Sequence, residues 1–158
     1  MQMTSKRHPA DMGRVLFVCE NSDRKAVMNM AYVEYNPNPV GRKVGDCAVR
    51  AISKALDMGW EAAYIALTIN GLQMGDMPNN DVVSSALLRM HGYRRMNIPN
   101  DCPMCYSVED FCADHPHGGR YVLYCGGHVV CAIDGDWFDS WDSGSLIVQS
   151  VWYRKENE

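Results

Sequence analysis

Cys47 has the sequence surroundings of an activated nucleophile. It lies in the stretch Gly-Asp-Cys-Ala-Val-Arg at residues 45–50, directly after Asp46, which occupies the position of a helix N-cap. The unpaired amides and the dipole of a helix N-terminus stabilise a thiolate. Arg50 adds positive charge one turn later and could pair with Asp46, whose own charge opposes ionisation of the thiol. The pattern therefore predicts Cys47 as a nucleophile, with packing in an alanine-rich core as the alternative.

A base and an orienting carboxylate follow in the second half of the chain. His128 opens a predicted strand directly after Gly126-Gly127, so its ring is not covered by neighbouring side chains. Asp139 lies on the next predicted strand, and Asp134-Gly135 between the two predicts a hairpin turn. Such a hairpin can set a carboxylate beside an imidazole and fix its tautomer. Asp142 is a second candidate for the carboxylate, and a buried structural role is the alternative for His128.

The elements that must position these residues are helices first and strands later. Four helices are predicted after residue 45: they begin at Cys47, Trp60, Asp81 and near Ser107, where Ser-Val-Glu-Asp resembles a capping box. Strands are predicted at residues 14–19, 31–35, 120–125, 128–133, 137–140 and 147–154. This order predicts an α+β fold, with a flexible tail over residues 1–12 and a single domain over 13–158.

Composition and charge indicate which kind of protein this is and which partners it is expected to bind. The chain has 158 residues, 47% of them hydrophobic and 22% charged, with a net charge of -4 and no basic block. We therefore expect a globular protein that does not bind nucleic acid. The apolar runs are too short to span a bilayer, and no signal peptide is evident. An odd number of cysteines, seven, cannot all pair, which favours a cytoplasmic location.

Several motifs together resemble the papain-like cysteine peptidase superfamily. The order Cys, His, Asp matches, and Asp139-Ser140-Trp141 resembles the Asn-Ser-Trp motif of papain-type enzymes. The chain is also similar to small papain-like proteins of gut bacteria and their phages. Those proteins share Asn-Pro-Asn-Pro, Gly-Asp-Cys-x-x-Arg-Ala-Ile and Gly-His-Val-Val-x-x-Ile-Asp-Gly, found here at residues 36–39, 45–52 and 127–135.

The resemblance implies a papain-like fold, in which helices surround a central Cys-bearing helix packed on a C-terminal antiparallel sheet. It implies that Trp141 shields the His128–Asp139 hydrogen bond from water. Papain-type enzymes also use a glutamine before the cysteine as an oxyanion donor, and this chain has none at that spacing. Asn38 is the candidate substitute, acting with the Cys47 backbone amide, and Asn36 is equally close in sequence.

The resulting expectation is a cysteine hydrolase. It would cleave a peptide or isopeptide amide bond of a protein or peptide substrate through a thioester, without a catalytic cofactor. A deamidase or acyl transferase using the same triad is one alternative. A catalytically inactive binding module is another, because the glutamine is missing. The sequence does not indicate an oligomeric state.

A second cysteine cluster resembles a structural zinc site. Cys102 and Cys105 form a Cys-x-x-Cys knuckle, and Cys112 and His115 follow as Cys-x-x-His, with His117 close by. The alternative is that Cys112 belongs to the buried face of the short fourth helix and His115 to the turn that ends it. The pattern therefore predicts a structural zinc as one of two open interpretations.

Overall fold

The computed structural model describes residues 30–99 and 105–154, and within them the chain is α+β. The helices are α1 (Cys47–Ala55), α2 (Trp60–Met74), α3 (Asp81–Met90) and α4 (Val108–Asp114). The strands are β1 (Tyr32–Glu34), β2 (Arg94–Asn97), β3 (Arg120–Tyr124), β4 (Val129–Ile133), β5 (Asp136–Asp139) and β6 (Ser150–Tyr153). The tail predicted over residues 1–12 and the strand predicted over 14–19 lie outside the described residues.

The strands form one six-stranded mixed sheet in the order β1-β5-β4-β3-β6-β2. This differs from the expected C-terminal antiparallel sheet in two respects. Strand β1, from before the helices, joins one edge and runs parallel to β5, with Tyr32 beside Trp137. Strand β2 joins the other edge, antiparallel to β6, and was not predicted. Its four residues, Arg-Arg-Met-Asn, are all exposed, so they lack the alternation that marks a half-buried strand.

Local sequence signals explain where the helices begin and end. Asn80 caps α3 by accepting a hydrogen bond from the Val82 amide. The capping box predicted at Ser107 is confirmed, because its hydroxyl bonds the Asp110 amide and the Asp110 carboxylate bonds the Ser107 amide. Helix α2 ends at Gly75, whose φ of 68° is a left-handed conformation that glycine adopts without strain.

The sheet lies between two apolar layers. Successive strand residues point to opposite faces, so Val122 and Cys131 face one layer while Leu123 and Val130 face the other. Helices α1, α2 and α3 cover the first face and α4 covers the second. None of the helices in the described ranges is long and apolar enough to cross a membrane.

Two tight hairpin turns connect β3, β4 and β5. The β3–β4 turn contains Gly126-Gly127, with φ values of 66° and 94°, and the β4–β5 turn contains Asp134-Gly135, with φ values of 50° and 87°. Consecutive positive φ values define the type I′ turns that suit two-residue hairpins. The turn predicted at Asp134-Gly135 is therefore confirmed. Because β4 and β5 are antiparallel, the residue before β4 and the last residue of β5 lie at the same end of the sheet.

Candidate active site

Cys47 is the first residue of α1, as predicted, and Asp46 occupies the N-cap position. The Asp46 side chain accepts no hydrogen bond from the helix amides in the described structure. Its two oxygens are instead taken by Arg50 and by the indole Nε1 of Trp60, the latter at 2.9 Å. The first-turn amides of α1 are therefore left without a side-chain acceptor. They stay available to stabilise an anion formed at or near the Cys47 sulfur.

The environment of Cys47 favours ionisation on balance. Burial is the largest single influence and would raise the pKa of the thiol. Hydrogen bonds to the His128 side chain and to the Val129 backbone oppose burial, and the positive charges of His128 and Arg50 add to them. The net result is a Cys47 pKa below its ordinary value. The sulfur and the imidazole are thus interacting groups, although they are 81 residues apart in sequence.

His128 is held by Asp139. The imidazole Nε2 lies 2.5 Å from Asp139 Oδ2, and Asp139 is only 1% exposed. Burial works to lower the pKa of His128, but the hydrogen bonds to Asp139 and Cys47 and the charges of both outweigh it and raise the pKa to about 9. With Nε2 engaged by the carboxylate, Nδ1 is the ring nitrogen left for the thiol. The thiol interacts electrostatically with the imidazole, and the imidazole bonds the carboxylate.

Asp139 itself stays ionised in this buried position. Burial is the largest influence and would raise the pKa of its carboxyl, but the hydrogen bond and the charge of His128 lower it on balance. Arg50 Nη2 donates to the other oxygen, Oδ1, at 3.1 Å. The Ser140 backbone amide also donates to Oδ1, at 2.7 Å. Both carboxylate oxygens therefore have defined partners.

The second candidate carboxylate makes different contacts. Asp142 Oδ1 accepts hydrogen bonds from Trp137 Nε1 at 3.2 Å and from the Gly144 amide at 3.1 Å. It stabilises the turn after β5, whereas Asp139 contacts His128. Trp141 lies between them in sequence and places its ring 5.2 Å from the His128 ring, centroid to centroid, at a tilt of 48°. The indole covers one side of the imidazole and is itself 46% exposed.

The two asparagines considered as oxyanion donors belong to the loop before α1. Asn38 Oδ1 accepts from the Val40 and Arg42 amides at 3.1 and 3.3 Å, which orients its side-chain amide. Asn36 Nδ2 instead donates to the carbonyls of Gly41 and Arg42, at 3.4 and 3.5 Å. Asn36 thus uses its donor within the loop, while Asn38 uses its acceptor. The oxyanion role of Asn38 stays a prediction.

Three other described cysteines differ from Cys47 in their ionisation. Burial raises the pKa of Cys112, Cys125 and Cys131 to about 12. All three are buried, and their thiols stay protonated at neutral pH. Cys47 thus differs from these three thiols in that its surroundings lower its pKa, whereas theirs raise it.

The proposed zinc ligands are only partly described. Cys102 lies outside the described residues. Cys112 lies on the buried face of α4, and His115 has its Nδ1 2.8 Å from the Phe111 carbonyl and its ring stacked on Phe111. Residues 30–99 and 105–154 contain no group of three or more potential metal ligands. The zinc site therefore stays a prediction, to be tested by elemental analysis of the purified protein.

Sequence reasoning did not anticipate two of the contacts at the site. The contact of Arg50 with Asp139 joins residues 89 positions apart, and Trp60 binds Asp46 from the start of α2. The available signal for Arg50 was a charged residue among apolar neighbours at 48, 49, 51 and 52. No protein-family model, curated protein or solved structure matches the chain. The chemical interpretation of the site therefore rests on its own geometry.

Proposed function

We propose that this protein is a papain-like cysteine hydrolase that cleaves an amide bond, peptide or isopeptide, in a protein or peptide substrate. Cys47 is the nucleophile, His128 the general acid and base, and Asp139 the group that orients the imidazole. The observation that carries the proposal is the His128–Asp139 hydrogen bond, combined with an interaction between Cys47 and His128 that lowers the Cys47 pKa below its ordinary value. A thiol and an imidazole paired in this way form the ion pair that cysteine hydrolases use.

The proposed reaction has two halves. The Cys47 thiolate attacks the carbonyl carbon, and the negative charge moves to the carbonyl oxygen. Collapse of this intermediate breaks the carbon–nitrogen bond, and His128 donates its proton to the leaving amine. His128 then removes a proton from water, which attacks the thioester and releases the acid as Cys47 leaves. Asp139 keeps the imidazole oriented and stabilises its protonated form throughout.

The oxyanion would be stabilised at the start of α1. The Cys47 backbone amide belongs to the first turn, where helix amides have no intrahelical partner. In the proposed arrangement the Asn38 side-chain amide is the second donor, because its oxygen is already held by the Val40 and Arg42 amides. This arrangement replaces the glutamine of papain-type enzymes.

Selective alkylation tests the nucleophile without knowledge of the substrate. The full chain is treated with limiting iodoacetamide, and the label on each cysteine is measured over time by mass spectrometry. We expect Cys47 to react faster than Cys105, which is exposed and serves as an internal reference. His128→Ala should abolish the advantage, because it removes the imidazole that stabilises the thiolate. His91→Ala is the matched control, since His91 is exposed at the end of α3.

Equal labelling of Cys47 and Cys105, or a His128→Ala variant that labels like the unmodified chain, would contradict the proposal. A deamidase or an acyl transferase would pass the same test, because only the group that attacks the thioester differs. Product masses from peptide substrates, with and without an added amine, separate these reactions. If the protein is instead a binding module, the Cys47→Ser variant should keep the full biological effect of the unmodified protein.

A further inference from the structure

Arg50 links the helix that carries Cys47 to the hairpin that carries the other two residues. Its side chain is buried, at 5% exposure, and its guanidinium contacts two carboxylates. Nη1 pairs with Asp46 at the start of α1, and Nη2 reaches Asp139 Oδ1 at the end of β5, at 3.1 Å. A buried guanidinium is stable only when it is paired with carboxylates. The Arg50 side chain, with one nitrogen on each of two carboxylates, therefore strongly prefers a single geometry.

The contact with Asp139 restricts how that carboxylate can turn. Oδ2 faces His128 Nε2 while Oδ1 is held by Arg50 Nη2. The other donor to Oδ1, the Ser140 amide, is covalently adjacent and moves together with Asp139. Arg50 is therefore the contact that fixes the carboxylate relative to α1, and with it the imidazole relative to the thiol.

We propose that Arg50 is a positioning residue that clamps Oδ1 of Asp139 to α1, so that Oδ2 faces the His128 ring. The inference rests on the proposed function, because positioning matters to catalysis only if Cys47, His128 and Asp139 react. Asp46 supports the clamp from the other side: one of its oxygens accepts from Arg50 Nη1, and the other accepts from the Trp60 indole.

The direction in which the His128 pKa changes when Arg50 is replaced distinguishes a positioning role of Arg50 from a purely electrostatic one. The ionisable groups that face Arg50 and Asp139 are Asp46 before α1, Cys47 at its start, His128 before β4, Cys125 after β3 and Tyr32 on β1. The positive charge of Arg50, acting alone, disfavours a second cation at His128, so its removal would raise the His128 pKa. Loss of the clamp instead frees Asp139 to turn away, which lowers the His128 pKa.

Arg50→Lys is the informative substitution, because it keeps the charge and removes the two-nitrogen fork. It is made in full-length Cys47→Ala protein, where no thiol titrates together with the imidazole. His128 is followed by NMR with isotope-labelled histidine and assigned by comparison with His128→Ala. We expect Arg50→Lys to lower the His128 pKa by about one pH unit or more. Arg120→Lys, which alters a contact with the Lys54 carbonyl at the other end of α1, should leave it unchanged.

An unchanged or raised His128 pKa in folded Arg50→Lys would overturn the inference. Circular dichroism reports folding separately, so an unfolded variant is recognised before its titration is interpreted. Arg50→Gln is the second variant: positioning again predicts a lower His128 pKa, whereas a purely electrostatic role predicts a higher one. The titration needs neither a substrate nor Cys47. A failed alkylation test would therefore refute the proposed hydrolase and leave this measurement intact.

Discussion

Replacing Asp139 by Asn tests whether the negative charge of Asp139 is what activates His128 and Cys47. The substitution keeps the size of the side chain and an oxygen that can accept from His128 Nε2, but it removes the negative charge. The charge lies 2.5 Å from the imidazole, in a residue that is almost fully buried. Little water is present to screen it, so its removal should be felt strongly at His128 and, through His128, at Cys47.

The structure sets the size of the effect. The His128 pKa is raised from 6.5 to about 9 against the opposing effect of burial. That difference corresponds to about 3 kcal/mol in favour of the imidazolium. Asp139 and Cys47 share this stabilisation, and the hydrogen bond to Asp139 is the larger favourable contribution. If the Asp139→Asn variant retains less than half of it, the equilibrium constant between the thiolate–imidazolium pair and the neutral thiol–imidazole pair falls at least about tenfold.

The assay is the rate of Cys47 alkylation by iodoacetamide at neutral pH, where the neutral thiol–imidazole pair competes with the ion pair, with folding checked by circular dichroism. Asp142→Asn is the matched control, because Asp142 bonds Trp137 and Gly144 instead of His128. We expect Asp139→Asn to slow alkylation by up to about tenfold and Asp142→Asn to change it by less than about twofold. Equal rates for the two variants, or a larger loss in Asp142→Asn, would refute the assignment of Asp139.

Three further predictions follow from the same structure. In the Cys47→Ala variant, the free energy of unfolding should fall as pH rises from 6.5, because the pKa of His128 is higher in the folded than in the unfolded protein. Denaturant titrations at several pH values should show this decrease. The double variant Cys47→Ala/His128→Ala should not show it. Trp141→Ala should move the His128 pKa toward 6.5 in an NMR titration, because it exposes the His128–Asp139 hydrogen bond to water. The same substitution should cost no more than about 1 kcal/mol of folding stability. An unchanged His128 pKa would show that the indole does not shield the pair. Leu67→Ala should cost about 2–5 kcal/mol in urea unfolding, because Leu67 is fully buried on α2. Leu72→Ala, on the same helix but 83% exposed, should cost less than about 0.5 kcal/mol, and similar losses for the two would contradict the packing described.

Local signals in the sequence predicted most of the elements. The N-cap position before Cys47, the start of α3 at Asp81 and the capping box at Ser107 all depend on residues within one helical turn of each other. The hairpin at Asp134-Gly135 was likewise predictable, because two adjacent residues with positive φ define it. The same short-range reasoning singled out the three residue types of the site and the order in which they occur.

Tertiary structure decided which of those residues meet. Asp139 and Asp142 are close in sequence and chemically identical, and only the β4–β5 register determines that Asp139 faces His128. The pairing of β1 with β5 and the contact of Arg50 with Asp139 join distant parts of the chain. Such contacts depend on how whole layers pack around a common core. Periodicity and capping act over only a few residues, so they carry no information about partners this far apart.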